Sequence, residues 1–192
     1  MMQLTDLVLV LVMCGIIVIY VYSEPATNTE VVIKTSSIDG RKYVVLKLPD
    51  AQQAADFIAD INVDLVELVH HLVSKYPDNE DVVRLYDNFD PDRVSEGSIE
   101  SGYTSYSVNK GEKIILCIRQ SDGSFVEKNI LLYVAIHELA HIMTSEVGHT
   151  PLFWSNFKFI LSEAIEIAIY RKVDFDDRPE DYCGIKISSS VV

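Results

Sequence analysis

The chain has 192 residues, 48% of them hydrophobic, which is enough for one compact domain with an apolar core. Its formal net charge is −13, and because a strongly acidic domain repels phosphate backbones, this composition disfavours nucleic acid as a partner. The three cysteines, Cys14, Cys117 and Cys183, include no Cys-x-x-Cys pair, which argues against a cysteine zinc site and slightly favours a reducing compartment. A bridge between Cys117 and Cys183 is conceivable, but nothing in the sequence singles it out.

The N-terminal segment LVLVLVMCGIIVIYVYS, residues 7–23, carries no charge. As a helix it is about 25 Å long, slightly less than the hydrocarbon core of about 30 Å, and its last tyrosines suit a membrane interface. We therefore predict a single-pass membrane protein with a transmembrane anchor over residues 1–23; a cleaved signal peptide and a buried core helix are the alternatives. The downstream charges Lys34, Arg41 and Lys42 favour a folded domain on the cytoplasmic side.

Residues 24–30 are predicted to form a short linker, and the folded domain is predicted to span residues 31–192. The domain begins with a predicted hairpin over residues 31–48, because two β-branched runs flank an aspartate–glycine turn. Apolar residues then recur at helical spacing from Asp50, a plausible N-cap, to about Lys75.

A polar stretch with glycines and serines follows to about residue 102, and residues 103–119 predict a second hairpin that turns at residues 109–111. The chain then enters a helix that contains a histidine motif. A further helix is predicted from Pro151, with Thr150 as its N-cap, to about Arg171. The order of strands, helix, strands and two helices predicts an α+β fold with a short antiparallel sheet.

The segment HELAHIMTSEVGH, residues 137–149, contains the pattern H-E-x-x-H. On a helix, His137 and His141 project from one face about one turn apart, so both imidazoles can bind one zinc ion. Glu138 is offset by about 100° and can reach a metal-bound water without ligating the metal. The helix is apolar almost all round, and burying these polar side chains without partners costs a few kcal/mol, which favours a metal as their partner.

The candidates for the third zinc ligand are His149 and, on the predicted helix that follows, Glu163 and Glu166. His149 is preferred, because Gly148 permits the sharp turn that returns its imidazole towards the other two. Glu163, on the following helix, is the alternative ligand, or an acceptor that orients a histidine N–H. The aromatic residues after His149, among them Phe153 and Trp154, are predicted to pack in the core against the motif helix.

The segment NILLYVAIHELAHIMTSEVGHTPLFWSNFKFIL, residues 129–161, resembles the WLM-type zinc metallopeptidase domain, in particular the versions encoded by large DNA viruses. This domain is a relative of the SprT-like and Wss1-like proteases. The preceding KGEKIILCIRQSDGSF and the later YCGIKI fit the same pattern, so the resemblance covers roughly residues 100–190. It implies a small zincin-like fold, zinc-ligand roles for His137, His141 and His149, and a general-base role for Glu138.

We therefore expect a membrane-anchored, zinc-dependent metallopeptidase that hydrolyses peptide bonds in a protein or peptide substrate. The expected cofactor is Zn²⁺, held by His137, His141 and His149, and Glu138 is expected to act as general base on a zinc-bound water. The alternative is a membrane-tethered structural or interaction protein on a catalytically silent peptidase scaffold.

Overall fold

The structure is a computed structural model that describes Met13, residues 30–97 and residues 104–192. Apart from Met13 and Glu30, the predicted N-terminal helix over residues 1–23 and the predicted linker over residues 24–30 lie outside the described part of the chain.

The first described elements are a hairpin and a long helix, as predicted. Strands β1 (Val31–Thr35) and β2 (Lys42–Leu46) pair antiparallel. Helix α1 (Ala51–Lys75) buries a stripe along its length, and this spacing of three and four residues is what made the helix predictable. The stripe consists of Ala54, Ile58, Ile61, Leu65, Leu68 and Leu72. The helix packs against both strands of the hairpin and against helices later in the chain, so it lies at the centre of the domain.

The polar stretch after α1 contains structure that the sequence did not predict. Helix α2 (Glu80–Asn88) begins at Asn79, whose side chain accepts hydrogen bonds from the amides of Asp81 and Val82. A short 3₁₀ helix, Pro91–Arg93, and strand β3 (Val94–Glu96) follow.

The central sheet is mixed rather than antiparallel throughout, which corrects the predicted antiparallel sheet. Strand β4 (Tyr106–Val108) pairs antiparallel with β5 (Lys113–Leu116), as the predicted second hairpin requires. Strand β3 pairs with the other edge of β5 in parallel, so the strand order is β3-β5-β4. The parallel pairing joins strands that are separated along the chain, and no local turn pattern announces such a pairing.

Helices α3 (Lys128–Met143) and α4 (Pro151–Glu166) pack against each other and form the second half of the core. The predicted cap of α4 is confirmed, because the Thr150 hydroxyl accepts a hydrogen bond from the Phe153 amide. The helix ends about one turn earlier than predicted. Ala168 has a φ of 62°, and the amides of Ile169 and Tyr170 turn back to the Ala164 carbonyl, which stops the helical hydrogen bonding.

A C-terminal hairpin of strands β6 (Glu180–Tyr182) and β7 (Ile185–Ile187) completes the fold, and Cys183 in its turn forms a disulfide with Cys117. Both cysteines are buried. The sequence left this pairing open and slightly favoured a reducing compartment. The preference rested on the absence of a local cysteine pattern, whereas the two partners are 66 residues apart and meet only in the folded chain.

The predicted single-pass membrane location finds no support in the described part of the chain, and the predicted anchor itself lies outside that part apart from Met13. Within residues 30–97 and 104–192, no helix combines the length and the hydropathy needed to cross a bilayer. The longest described helix, α1, has 25 residues, but it carries acidic side chains at Asp56, Asp60, Asp64 and Glu67 that would be costly in hydrocarbon.

Candidate metal centre and catalytic cleft

Three imidazoles converge at one point beside helix α3. His137 and His141 lie one turn apart on this helix, and their Nε2 atoms are 3.2 Å from each other. His149, in the loop between α3 and α4, places its Nε2 atom 3.1 Å from that of His137. Ligand atoms of all three residues lie within 4.8 Å of one another. The structure thus brings together the three residues predicted as ligands.

The loop that carries His149 is shaped by its backbone and by one lysine. Gly148 has a φ of 88°, a left-handed conformation that glycine adopts without a steric penalty. The Lys110 ammonium, from the turn between β4 and β5, donates hydrogen bonds to the carbonyls of Thr144 (2.8 Å), Ser145 and Glu146 (3.0 Å). These three carbonyls follow the end of α3, so Lys110 holds the loop, while Arg84 donates to the carbonyl of Met143, the last residue of the helix (2.7 Å).

The three imidazoles rest on the ring of Phe153, the third residue of α4. Ring centroids of His137, His141 and His149 lie 4.9, 4.3 and 4.7 Å from that of Phe153, and the His141 ring is stacked on it. Phe153 is fully buried, which confirms its predicted place in the core, whereas Trp154 is 44% exposed, so the same prediction is wrong for Trp154. Phe153 also limits how far the imidazoles can tilt away from their common point.

The donor set fits zinc. Four ligand atoms about 2.05 Å from a tetrahedral zinc ion are about 3.3 Å from one another. The Nε2 atoms of His141 and His149 lie 3.2 and 3.1 Å from that of His137, close to this value. Burial and the neighbouring His141 and His149 lower the pKa of His137 to about 3. Burial, with His149 and Lys110 nearby, lowers the pKa of His141 to about 4. Both imidazoles are therefore neutral at pH 7, which is the form that offers a lone pair to a metal.

Glu138 lies next to the histidine group and is 4% exposed. Burial raises the pKa of its carboxyl to about 7, although the side chain and backbone of Ser107 both hydrogen-bond to it. Ser107 belongs to β4, the edge strand of the central sheet. Glu138, His137, His141 and His149 all line one open cleft of about 670 Å³ between this edge strand and the loop after α3.

The alternative third ligand, Glu163, is engaged elsewhere. Its carboxylate accepts hydrogen bonds from the Tyr76 hydroxyl (2.7 Å) and the Lys75 ammonium (3.0 Å), and it lies 2.8 Å from His71 Nε2. Lys75 also bonds Glu166 at 2.7 Å. Glu163 therefore joins α4 to the end of α1, and the suggestion that it orients one of the motif histidines is not borne out by its contacts. The helical spacing of α4 placed Glu163 on an inner face, but sequence alone did not show which neighbour that face meets.

The sequence did not reveal the roles of three further residues of the site. Ser107 bonds Glu138, Lys110 holds the His149 loop, and Phe153 supports the three imidazoles. Only Lys110 had a local signal in the sequence, because it lies in the predicted turn over residues 109–111, which the structure confirms with positive φ at Asn109 and Lys110. The contacts of the other two depend on how β4 and α4 pack against α3, which no spacing in the sequence reveals.

The three histidines and Glu138 lie within a known protein domain. The model of the WLM domain matches residues 40–184, about three quarters of the chain. The chain belongs to the WLM domain family. The match includes α3, the His149 loop, α4 and both disulfide cysteines, so the predicted resemblance is confirmed.

Relatives of this WLM chain occur in large DNA viruses. A protein of Acanthamoeba polyphaga mimivirus is 28% identical over 183 residues, which are 93% of each chain. A protein of Invertebrate iridescent virus 6 is 34% identical over 80 residues, covering 40% of this chain and 44% of its own length. A crystal structure of Wss1 from Saccharomyces cerevisiae has a TM-score of 0.48 at 19% identity, covering 65% of this chain and 88% of Wss1.

Proposed function

We propose that this chain is a zinc-dependent peptidase whose domain spans residues 31–192. His137, His141 and His149 hold the metal, and Glu138 is the general base. The observation that carries the proposal is the convergence of three imidazole nitrogens beside a buried carboxyl group in an open cleft. Membership of the WLM domain family supports it.

When bound at the three histidines, zinc supplies Lewis acidity that polarises a carbonyl and brings the pKa of a coordinated water towards 7. The protein supplies the orientation. Phe153 and the one-turn spacing on α3 fix the imidazoles, and Lys110 fixes the loop that carries His149. The edge strand β4 and the His149 loop leave the cleft between them accessible to a polypeptide.

Glu138 moves the proton in this proposal. Its Oε atom accepts a proton from the attacking water and passes it to the nitrogen of the leaving amine. Burial raises the pKa of this carboxyl in the metal-free chain, whereas a zinc ion at the three histidines would favour the carboxylate, the form that accepts the proton. The hydrogen bonds from Ser107 keep the carboxyl directed while it changes protonation state.

The test compares wild-type chain, Glu138→Gln and a matched control, Glu67→Gln, on the exposed side of α1. Each protein is loaded with zinc, and cleavage of fluorescein-labelled casein is followed together with zinc content. We expect wild type and Glu67→Gln to cleave, and Glu138→Gln to keep its zinc while losing about 10²–10⁴-fold in rate. Zinc chelation should abolish cleavage.

Undiminished cleavage by Glu138→Gln would overturn the proposed base. Stoichiometric zinc in wild type without cleavage of casein or of a random peptide pool would favour the alternative, a catalytically silent scaffold that acts through binding.

A further inference from the structure

A second, smaller cavity opens beside the catalytic cleft. It has a volume of about 180 Å³, and His137 and Glu138 line both this cavity and the cleft. A cavity of about 150 Å³ accommodates a benzene molecule, so the space suits one aliphatic or phenyl-sized side chain. Its position next to the proposed base means that a substrate residue beside the cleaved bond can enter it.

Most of the wall of this cavity is apolar, and the hydroxyl residues Thr104 and Ser105 complete it beside the motif residues His137 and Glu138. Tyr133 and Val134 of α3 form one side, and Tyr182, Ile185 and Ile187 of the C-terminal hairpin form the other. The two tyrosine hydroxyls are already engaged, since that of Tyr133 donates to the Ser189 carbonyl (3.2 Å) and that of Tyr182 to the Cys117 carbonyl (2.8 Å). The Ser105 hydroxyl is engaged as well, with that of Tyr182 (2.5 Å). A charged side chain entering the cavity would lose its water and meet mostly apolar or already hydrogen-bonded groups, which is costly.

The wall formed by the C-terminal hairpin is fixed at several points, although each of its two strands has only three residues. The disulfide from Cys183 to Cys117 links its turn to the chain just after β5. Gln120 adds two hydrogen bonds, accepting from the Cys183 amide (3.1 Å) and donating to the Asp181 carbonyl (2.8 Å). A wall fixed at several points keeps the shape of the cavity constant, which is what discrimination by shape requires.

We infer that the cavity between α3 and the disulfide-linked C-terminal hairpin is a specificity pocket that takes a branched apolar or phenyl side chain of the peptide substrate, next to the cleaved bond. This inference rests on the proposed function. Ile185 and Ile187 are its specificity-determining residues, because they are the aliphatic part of the wall that the hairpin, rather than the catalytic helix, provides.

The first experiment uses zinc-loaded full-length chain and a pool of random peptides, with the cleaved bonds identified by mass spectrometry. At one of the two positions flanking the cleaved bond we expect Leu, Ile, Val, Met or Phe to be enriched at least about tenfold over Asp and Lys. In Ile185→Glu the preference at that position should shift towards Lys and Arg by about fivefold. Ile38→Glu is the matched control, since Ile38 is 52% exposed and Ile185 50%, and it should keep the wild-type preference.

The second experiment needs no turnover. Binding of leucine, glycine and lysine hydroxamates to the zinc-loaded chain is measured by calorimetry. We expect the leucine compound to bind at least about tenfold more tightly than the glycine compound in wild type and Ile38→Glu, and to lose this advantage in Ile185→Glu. Equal affinities in wild type, or an unchanged pattern in Ile185→Glu, would overturn the pocket. If peptide cleavage is absent but the leucine advantage is present and depends on Ile185, the pocket stands and the proposed function fails.

Discussion

Reduction of the Cys117–Cys183 disulfide should lower the free energy of unfolding substantially. The bond closes a loop with a sequence separation of 66 residues, and the open chain gains conformational entropy when it is broken. The chain-entropy relation gives about 15 cal/mol/K for this loop, or about 4 kcal/mol at 25 °C. Single domains have total stabilities of about 5–15 kcal/mol, so the reduced protein should remain folded with a much smaller margin.

The assay is urea unfolding of the full chain, followed by far-ultraviolet circular dichroism with and without reductant. With a slope of about 2 kcal/mol/M, the loss of about 4 kcal/mol moves the midpoint down by about 2 M. The double variant Cys117→Ala/Cys183→Ala should unfold at the reduced midpoint and ignore reductant, whereas Cys14→Ser should respond as wild type does. If mass spectrometry confirms the bond and reduction costs less than about 1 kcal/mol, the loop argument is refuted.

Two further predictions concern charged side chains. Lys110→Met leaves the carbonyls after α3 without their shared donor. Amide hydrogen exchange over residues 145–149 should therefore accelerate at least about fivefold, and the free energy of unfolding should fall on the order of 2 kcal/mol. Exchange that stays at the wild-type rate would contradict the role of Lys110 in holding the loop. Asp50→Asn weakens the pair with Arg119, whose hydrogen bonds lower the pKa of Asp50 below its ordinary 3.8. A lowered carboxyl pKa stabilises the fold above the ordinary pKa, and that contribution is lost as pH falls through the folded value. The variant should therefore be about 2 kcal/mol less stable than wild type at pH 7, and the difference should shrink as the pH is lowered below 3.8. Urea unfolding at pH 7 and along this acid range checks this, and a difference independent of pH would contradict it.

The parts of the fold that could be predicted are those whose causes are local. The buried residues of α1 recur every three or four positions. Helix α4 begins with Thr150 as its N-cap and Pro151 as its first residue, and both residue types are common at those positions. The H-E-x-x-H spacing alone places His137 and His141 on one helical face. Because a glycine was needed to reverse the chain before His149, the approach of the third histidine could also be anticipated.

The parts that could not be predicted depend on contacts between distant segments. Asp50 was read as the N-cap of α1, yet its carboxylate is bonded to Arg119, 69 residues later. Helix α2 has nine residues and lies in a polar stretch, so its apolar periodicity is too short to stand out. The choice between His149 and Glu163 also turned on packing, because only the fold shows that Glu163 meets the end of α1.

Zinc stoichiometry and affinity test the central claim most directly. The metal content of the purified full chain is measured by plasma mass spectrometry, and affinity by competition with a chromophoric chelator, for wild type, His149→Ala and the exposed-histidine control His70→Ala. We predict about one zinc per chain in wild type and His70→Ala, and affinity at least about a hundredfold weaker in His149→Ala, because two imidazoles remain of three. Full zinc affinity in His149→Ala would contradict the assignment of the metal centre.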